Sequence, residues 1–179
     1  MKYYNFKLVT DKNGIVSDED LFDLSDELYE AGCHDGMPCV YGDALYLEFD
    51  RKGESFEQAV ISAIKDVESV QNIKVTSVDA GEWVGLTDAA ALSSTTKASL
   101  SRYSKGERGK GGFPCPLQRI DSKNPLWSWS EIASWLESQD KIEPEILEIA
   151  QATATINMSL QLRDKSRFDR VSTMLAVLK

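Results

Sequence analysis

The fold is decided by the stretch Leu86-Thr87-Asp88-Ala89-Ala90-Ala91-Leu92-Ser93-Ser94-Thr95-Thr96-Lys97-Ala98-Ser99-Leu100-Ser101-Arg102-Tyr103. Threonine is a common N-cap residue, so Thr87 and Thr96 are expected to begin two helices, with a turn at residues 93–95 between them. The alanines of the first segment allow a second helix to approach closely. The sequence therefore predicts a helix, a turn of about three residues, and a second helix.

The second segment has polar and basic side chains on its outer face. If Leu100 and Tyr103 pack inward at i, i+3 spacing, the other side chains are left exposed. Hydroxyl, ammonium and guanidinium groups on such a helix can meet base edges and phosphates in a DNA groove. Together with cations of the following loop, the predicted interface residues are Thr96, Lys97, Ser99, Ser101, Arg102, Lys105, Arg108 and Lys110.

A basic loop rich in glycine, residues 104–112, follows this helix. It holds Lys105, Arg108 and Lys110 among four glycines. Cations on a flexible backbone can follow phosphates or enter a minor groove, which adds affinity but little sequence information. A solvated, disordered connection is the alternative interpretation.

Two further motifs follow, Phe113-Pro114-Cys115-Pro116 and the tryptophan-containing stretch at residues 126–136. Taken with the two helices, they resemble the excisionase-like and AlpA-like branch of the MerR-type helix-turn-helix proteins, over about residues 86–136. The resemblance implies that residues 96–103 form a recognition helix and that the strands after it form a wing over the DNA backbone. It also implies a sequence-specific regulator that binds double-stranded DNA.

The first 80 residues alternate between strand-like and helix-like periodicity. This βαββαβ order is typical of ferredoxin-like domains, a fold that hosts many functions. A capping box is expected at Ser55, with Gln58 three residues later. The expected elements are a strand near 4–9, a helix near 21–31, a hairpin of strands 37–41 and 44–49, a helix near 56–67 and a strand near 73–78.

The last 40 residues have helical apolar spacing and are predicted to form one or two helices. The fold class is therefore α+β: a ferredoxin-like domain at 1–82, a winged helix-turn-helix at 83–139 and a helical region at 140–179. Recognition helices usually act in pairs, so a homodimer is expected. Either the C-terminal apolar helix or the N-terminal sheet could supply the contact.

Charge is distributed unevenly along the 179 residues, whose formal net charge is −9. Residues 1–84 carry 18 acidic and 7 basic side chains, a net of −11, whereas residues 97–123 carry 2 acidic and 7 basic side chains, a net of +5. The positive segment coincides with the predicted interface, as phosphate binding requires. The acidic N-terminal domain would repel DNA and could recruit a protein partner instead.

Other function classes find little support. No apolar run is long enough to span a membrane, and the N-terminus lacks signal-peptide features, so a cytoplasmic protein is expected. Cys33, His34, Asp35 and Cys39 offer two thiolates, an imidazole and a carboxylate but no second cluster, so a zinc site is not expected, and residues 32–36 favour a turn. Cys33 beside His34 is also poorly placed for nucleophilic catalysis. We expect no catalytic residues, no metal and no cofactor.

A different function remains open beside DNA binding. A helix-turn-helix can also serve as a packing unit or a protein-binding surface, and an acidic domain can neutralise a partner. The alternative hypothesis is a protein-interaction adaptor, such as a component of a toxin–antitoxin or phage-defence system, that does not itself bind DNA.

Overall fold

The structure is a computed structural model that describes residues 1–178. It confirms the α+β class, with a four-stranded sheet, a two-stranded sheet and helices. Its elements are β1 (Lys2–Thr10), α1 (Asp18–Glu30), β2 (Gly36–Tyr41), β3 (Ala44–Gly53), α2 (Phe56–Ser69), β4 (Val75–Asp79), β5 (Trp83–Val84), α3 (Leu86–Leu92), α4 (Lys97–Ser104), β6 (Trp127–Ser128), α5 (Trp129–Glu137), α6 (Pro144–Leu162) and α7 (Lys165–Val177).

Two compact units make up the chain. One contains residues 1–79 together with residues from 155 onward, and the other contains residues 80–154. The helical region after residue 140 is therefore divided, because α6 contributes its first part to the second unit and its last part to the first. No helix within residues 1–178 is long and apolar enough to cross a membrane.

The first unit is built on an antiparallel sheet with the strand order β2-β3-β1-β4. Alternate side chains of β1 are buried, and the register pairs Phe6 with Phe49 and Leu8 with Leu47. The apolar stripe of α2 is buried at Phe56, Ala59, Val60, Ala63, Ile64 and Val67, as its spacing predicts. Apolar residues recur every two positions in the strands and about every 3.6 positions in α2. Both repeats thus direct their apolar side chains into one shared core.

The helix ends of this unit follow from local side-chain chemistry. Ser17 and Asp20 form a reciprocal capping box at the start of α1, which the sequence analysis did not identify. Ser55 caps α2 by accepting a hydrogen bond from the Gln58 N–H. The expected capping box is not closed, however, because the Gln58 side chain accepts from the Glu54 N–H rather than from that of Ser55.

The edge strand β4 is covered by polar side chains from α6, from the residue that follows it, and from α2. Asn157 of α6 accepts from the Val78 N–H at 2.7 Å and donates to the Val78 carbonyl at 3.0 Å. Arg163 donates to the Val75 carbonyl, while Glu68 accepts from the Val75 N–H. These bonds satisfy backbone groups that an open edge would expose to another strand.

Arg51 of β3 ties its own strand to α2 and to the residues between α1 and β2 from a buried position. Its guanidinium binds Asp35 through two nitrogens, at 2.9 and 2.6 Å, and Asp66 through a third nitrogen at 2.6 Å. It also stacks on the Phe49 ring and donates to the Gly32 carbonyl. Because both carboxylates are hydrogen-bonded to it, the buried cation is compensated.

The second unit has a small core that centres on tryptophan. β5 pairs with β6, and α3, α4, α5 and the first part of α6 surround them. Trp127, Trp129 and Trp135 are all buried in this core. The core residues are Val84, Ala89, Ala90, Leu100, Tyr103, Trp127, Trp129, Ile132, Ala133, Trp135, Leu136 and Ala150.

Two local expectations for this unit require correction. The N-cap of α3 is Gly85 and not Thr87, because the Asp88 side chain accepts from the Gly85 N–H and the helix begins two residues earlier than expected. The residues after α4 also form less strand than predicted. An isolated bridge joins Gln118 to Leu126, and β6 pairs with β5, for which no strand was predicted.

Candidate nucleic-acid interface

The turn between α3 and α4 places the second helix. The Ser93 N–H donates a hydrogen bond to the Ala89 carbonyl, and the Thr95 N–H donates to the Ala90 carbonyl at 3.1 Å. Ser94 lies between them in the left-handed region, with a φ of 52°. This is the helix-ending arrangement in which glycine is the common residue. The chain thus makes a tight reversal here although it has no glycine in the turn.

Helix α4 is fixed on one face and open on the other. The Thr96 hydroxyl accepts from the Ser99 N–H at 3.2 Å and caps the helix. Leu100 and Tyr103 are buried in the core, as their spacing predicts, and Lys97 and Arg102 are exposed. Within residues 1–178, neither of these cations forms an ion pair. Both charges are therefore available to a ligand.

The outer surface of α4 differs in detail from the predicted one. At 100° per residue, Ala98, Arg102 and Lys105 lie opposite the buried residues, with Lys97 and Ser101 at one flank. Ala98 is exposed and was not predicted as an interface residue, although a methyl group can contact thymine. The spacing of Leu100 and Tyr103 already implied this register, but only polar and basic side chains were predicted as interface residues.

Two predicted hydroxyls are already engaged within the helix. The Thr96 and Ser99 hydroxyl oxygens are 3.0 Å apart and hydrogen-bonded. Ser99 also accepts from Arg108 at 3.2 Å. Both residues thus organise the start of α4, while Ser101 is half-buried on its flank. The cations, rather than the hydroxyls, dominate the exposed chemistry.

Arg108 folds back onto α4 instead of extending into solvent. Besides its hydrogen bond to Ser99, its guanidinium lies over the Tyr103 ring, 5.5 Å from the centroid. Lys141 approaches the same ring at 5.6 Å. A cation held by an aromatic ring and a hydroxyl loses less conformational freedom when it binds a phosphate than a free one does.

The basic loop is anchored at its glycines. The Trp135 indole donates to the Gly111 carbonyl at 3.0 Å. Gly109 has a φ of 85°, and a Cβ there would lie 3.2 Å from the Tyr103 ring, so this close approach requires glycine. Lys105 and Lys110 are exposed beside it. The loop is therefore attached to the core at this point, and its cations stay near α4.

A second basic segment was not included in the predicted interface. Leu126 donates to the Gln118 carbonyl at 2.9 Å and closes the loop of residues 119–125. Arg119 and Lys123 are exposed on this loop. Both residues contribute to the net positive charge of residues 97–123, and the bridge between Gln118 and Leu126 holds the two ends of their loop together.

The cysteine and histidine residues of the first unit, Cys33, His34 and Cys39, are not part of the candidate interface. Burial raises the pKa of the Cys33 thiol to about 11, so the thiol is protonated at neutral pH and is a poor nucleophile. His34 is exposed and packs edge-on against Tyr29. Within residues 1–178, no group of three or more metal-binding side chains is close enough to hold an ion.

Comparisons with known proteins add no relative. No family model, characterised protein or solved structure matches this chain.

Proposed function

We propose that the second unit is a winged helix-turn-helix of the excisionase-like and AlpA-like kind, and that the protein binds double-stranded DNA as a transcriptional regulator in the bacterial or phage cytoplasm. In this proposal α4 enters the major groove, and the loops at 104–112 and 119–125 contact the backbone. The first unit, with its split βαββαβ order, is a ferredoxin-like domain. Neither catalysis nor a cofactor is part of the proposal.

One observation carries this proposal. Arg102 projects from the face of α4 opposite the buried Leu100 and Tyr103, and Lys97 is exposed at the flank of the same helix. A guanidinium on a positioned helix can bind a guanine edge through two hydrogen bonds. A rigid support matters because a loosely held helix would lose more entropy on binding.

The loop cations have a different role in this proposal. Lys105, Arg108 and Lys110 lie on backbone that the core anchors, and cations near phosphates supply affinity that depends on salt and little on sequence. Two copies acting together would double the number of contacts, so we include a homodimer in the proposal.

Titrations with two duplexes test the division of roles. One duplex is selected from a random library by the wild-type protein, and the other is its scrambled counterpart. We expect the Lys97→Ala, Arg102→Ala double variant to lose its preference for the selected duplex. The Lys105→Ala, Arg108→Ala, Lys110→Ala variant should bind both duplexes more weakly and should show a smaller salt dependence.

Two outcomes would overturn the proposal. The first is unchanged affinity for both duplexes in both variants, measured at two salt concentrations. The second is the absence of binding to DNA or heparin by the wild-type protein at low salt. If a protein then co-purified with the chain, the adaptor hypothesis would replace DNA binding, with the acidic first unit as its surface.

A further inference from the structure

Helix α7 is the least explained element of the first unit. None of its residues is buried, although it carries several large apolar side chains. Phe168 is 51% exposed and Leu175 57% exposed. Exposed apolar side chains in a continuous row are uncommon on a monomer and mark interaction surfaces.

The apolar side chains of α7 form one stripe bordered by cations. Phe168, Val171, Leu175 and Leu178 follow the 3-4-3 spacing of helices that pair. Arg167 and Arg170 lie along one side of this stripe, and Lys165 lies along the other. Within residues 1–178, none of these three cations forms an ion pair. The helix thus offers an apolar strip with positive edges.

Helix α1 offers a surface of matching chemistry. Its outer face carries two exposed aromatic residues one heptad apart, Phe22 and Tyr29. Helix α1 contains 7 acidic residues and no basic ones, whereas α7 contains 3 basic residues and 1 acidic residue. Asp26 and Glu30 lie beside the two aromatic rings. Phe22 and Tyr29 remain 70% and 61% exposed, although the His34 ring packs against Tyr29.

We infer that the occupant of the α7 stripe is helix α1 of a second copy of this chain. Pairing of α7 with another α7 is less favourable: a parallel pair would place the cations of the N-terminal halves side by side, and an antiparallel pair would place them against a C-terminal half that has no carboxylate. Pairing with α1 buries apolar groups on both sides and places arginines beside carboxylates. The inference rests on the homodimer that is part of the proposed function, and it identifies the two surfaces that would form that dimer.

A two-fold dimer would use this contact twice, since α7 of each copy would pack on α1 of the other. Because specific interfaces bury at least about 1,200 Å² in total, each of the two equivalent contacts would need to bury about 600 Å². In such a dimer each copy uses both its α7 stripe and its α1 surface, so neither surface remains free to bind a third copy. The association is therefore expected to stop at two copies.

Charge reversal on each side tests this pairing in the absence of DNA. One variant carries Arg167→Glu and Arg170→Glu, and the other carries Asp26→Lys and Glu30→Lys. Lysines near the C-terminal end of α1 suit the helix dipole, so its fold should be kept. In sedimentation experiments over a range of concentrations, each variant alone should dimerise at least about tenfold more weakly than wild type.

An equimolar mixture of the two variants is the decisive sample. In a mixed dimer, one contact is wild type and the other has both charges reversed, so the mixture should dimerise like the wild-type chain. A wild-type chain that stays monomeric would overturn the inference, as would a dimer that is insensitive to the α1 variant. Because no DNA is present, either result is independent of whether the protein binds DNA.

Discussion

Two short basic helices of this protein, α4 and α7, show how burial decides what a charged helix can bind. In α4 the apolar residues Leu100 and Tyr103 are buried, so the exposed face is polar and cationic. In α7 the apolar residues stay exposed among the cations. A polar face on a fixed helix suits a phosphate-rich ligand, whereas an apolar stripe needs another protein surface.

The largest predicted difference concerns one leucine in each helix. Leu100→Ala should lower the free energy of unfolding of the second unit by about 3 kcal/mol, because it leaves a cavity in a packed core. Leu175→Ala should change the stability of the monomer by less than about 0.5 kcal/mol. Denaturation measured at a concentration where the chain is monomeric checks both values. An equal loss of stability in the two variants would contradict the difference in burial between Leu100 and Leu175.

The anchoring of the basic loop gives a smaller effect. Trp135→Phe removes the indole N–H that binds the Gly111 carbonyl, so we expect a loss of about 1–2 kcal/mol and faster amide exchange in residues 109–113. Trp127→Phe is the matched control, because it removes the bond to Pro114. The control should reduce stability similarly without the same increase in exchange at Gly109. Identical exchange in both variants would mean that Trp135 does not anchor the loop.

Substitutions at the N-caps of α4 and α7 should distinguish a local loss of stability from a global one. Thr96 and Asp164 each accept a backbone N–H bond at the start of α4 and α7. Thr96→Ala should cost about 1 kcal/mol in the unfolding of the second unit. Asp164→Ala should leave global unfolding unchanged and lower only the amide protection of α7, because that helix buries nothing. A global loss in both variants would show that α7 is packed.

Ser94 gives the smallest predicted effect. Its φ of 52° is costly for a residue with a Cβ, so Ser94→Gly should raise the unfolding free energy of the second unit by up to about 1 kcal/mol. Ser94→Ala, which keeps the Cβ, should not stabilise it. A destabilised glycine variant would show that the serine side chain contributes more than its backbone strain costs.

The parts of the structure that the sequence predicted are those with a strong local period. The alternation at Tyr4, Phe6 and Leu8 predicted β1, and the i, i+3 pair Leu100 and Tyr103 predicted the inner face of α4. The pairing of β5 with β6 was not predicted, because two-residue strands have no measurable period.

Side-chain hydrogen bonds between segments that are distant in the chain could not be predicted from the sequence either. Asn157 satisfies the edge of β4 from about 80 residues away, and Arg108 turns back to Ser99. Such contacts depend on tertiary structure, so a charge count found the basic segment but not how its cations are held. The exposed state of α7 was hidden for the same reason, since its apolar spacing is also that of a buried helix.

The most direct test of the contrast between α4 and α7 is a map of backbone amide chemical shifts on addition of duplex DNA to the full chain. The largest changes should fall on residues 96–112 and 119–125, with none above background on α7 beyond those caused by dimerisation alone. Changes concentrated on α7 or on the first unit, or no changes at all, would contradict the assignment of α4 as the DNA-binding helix.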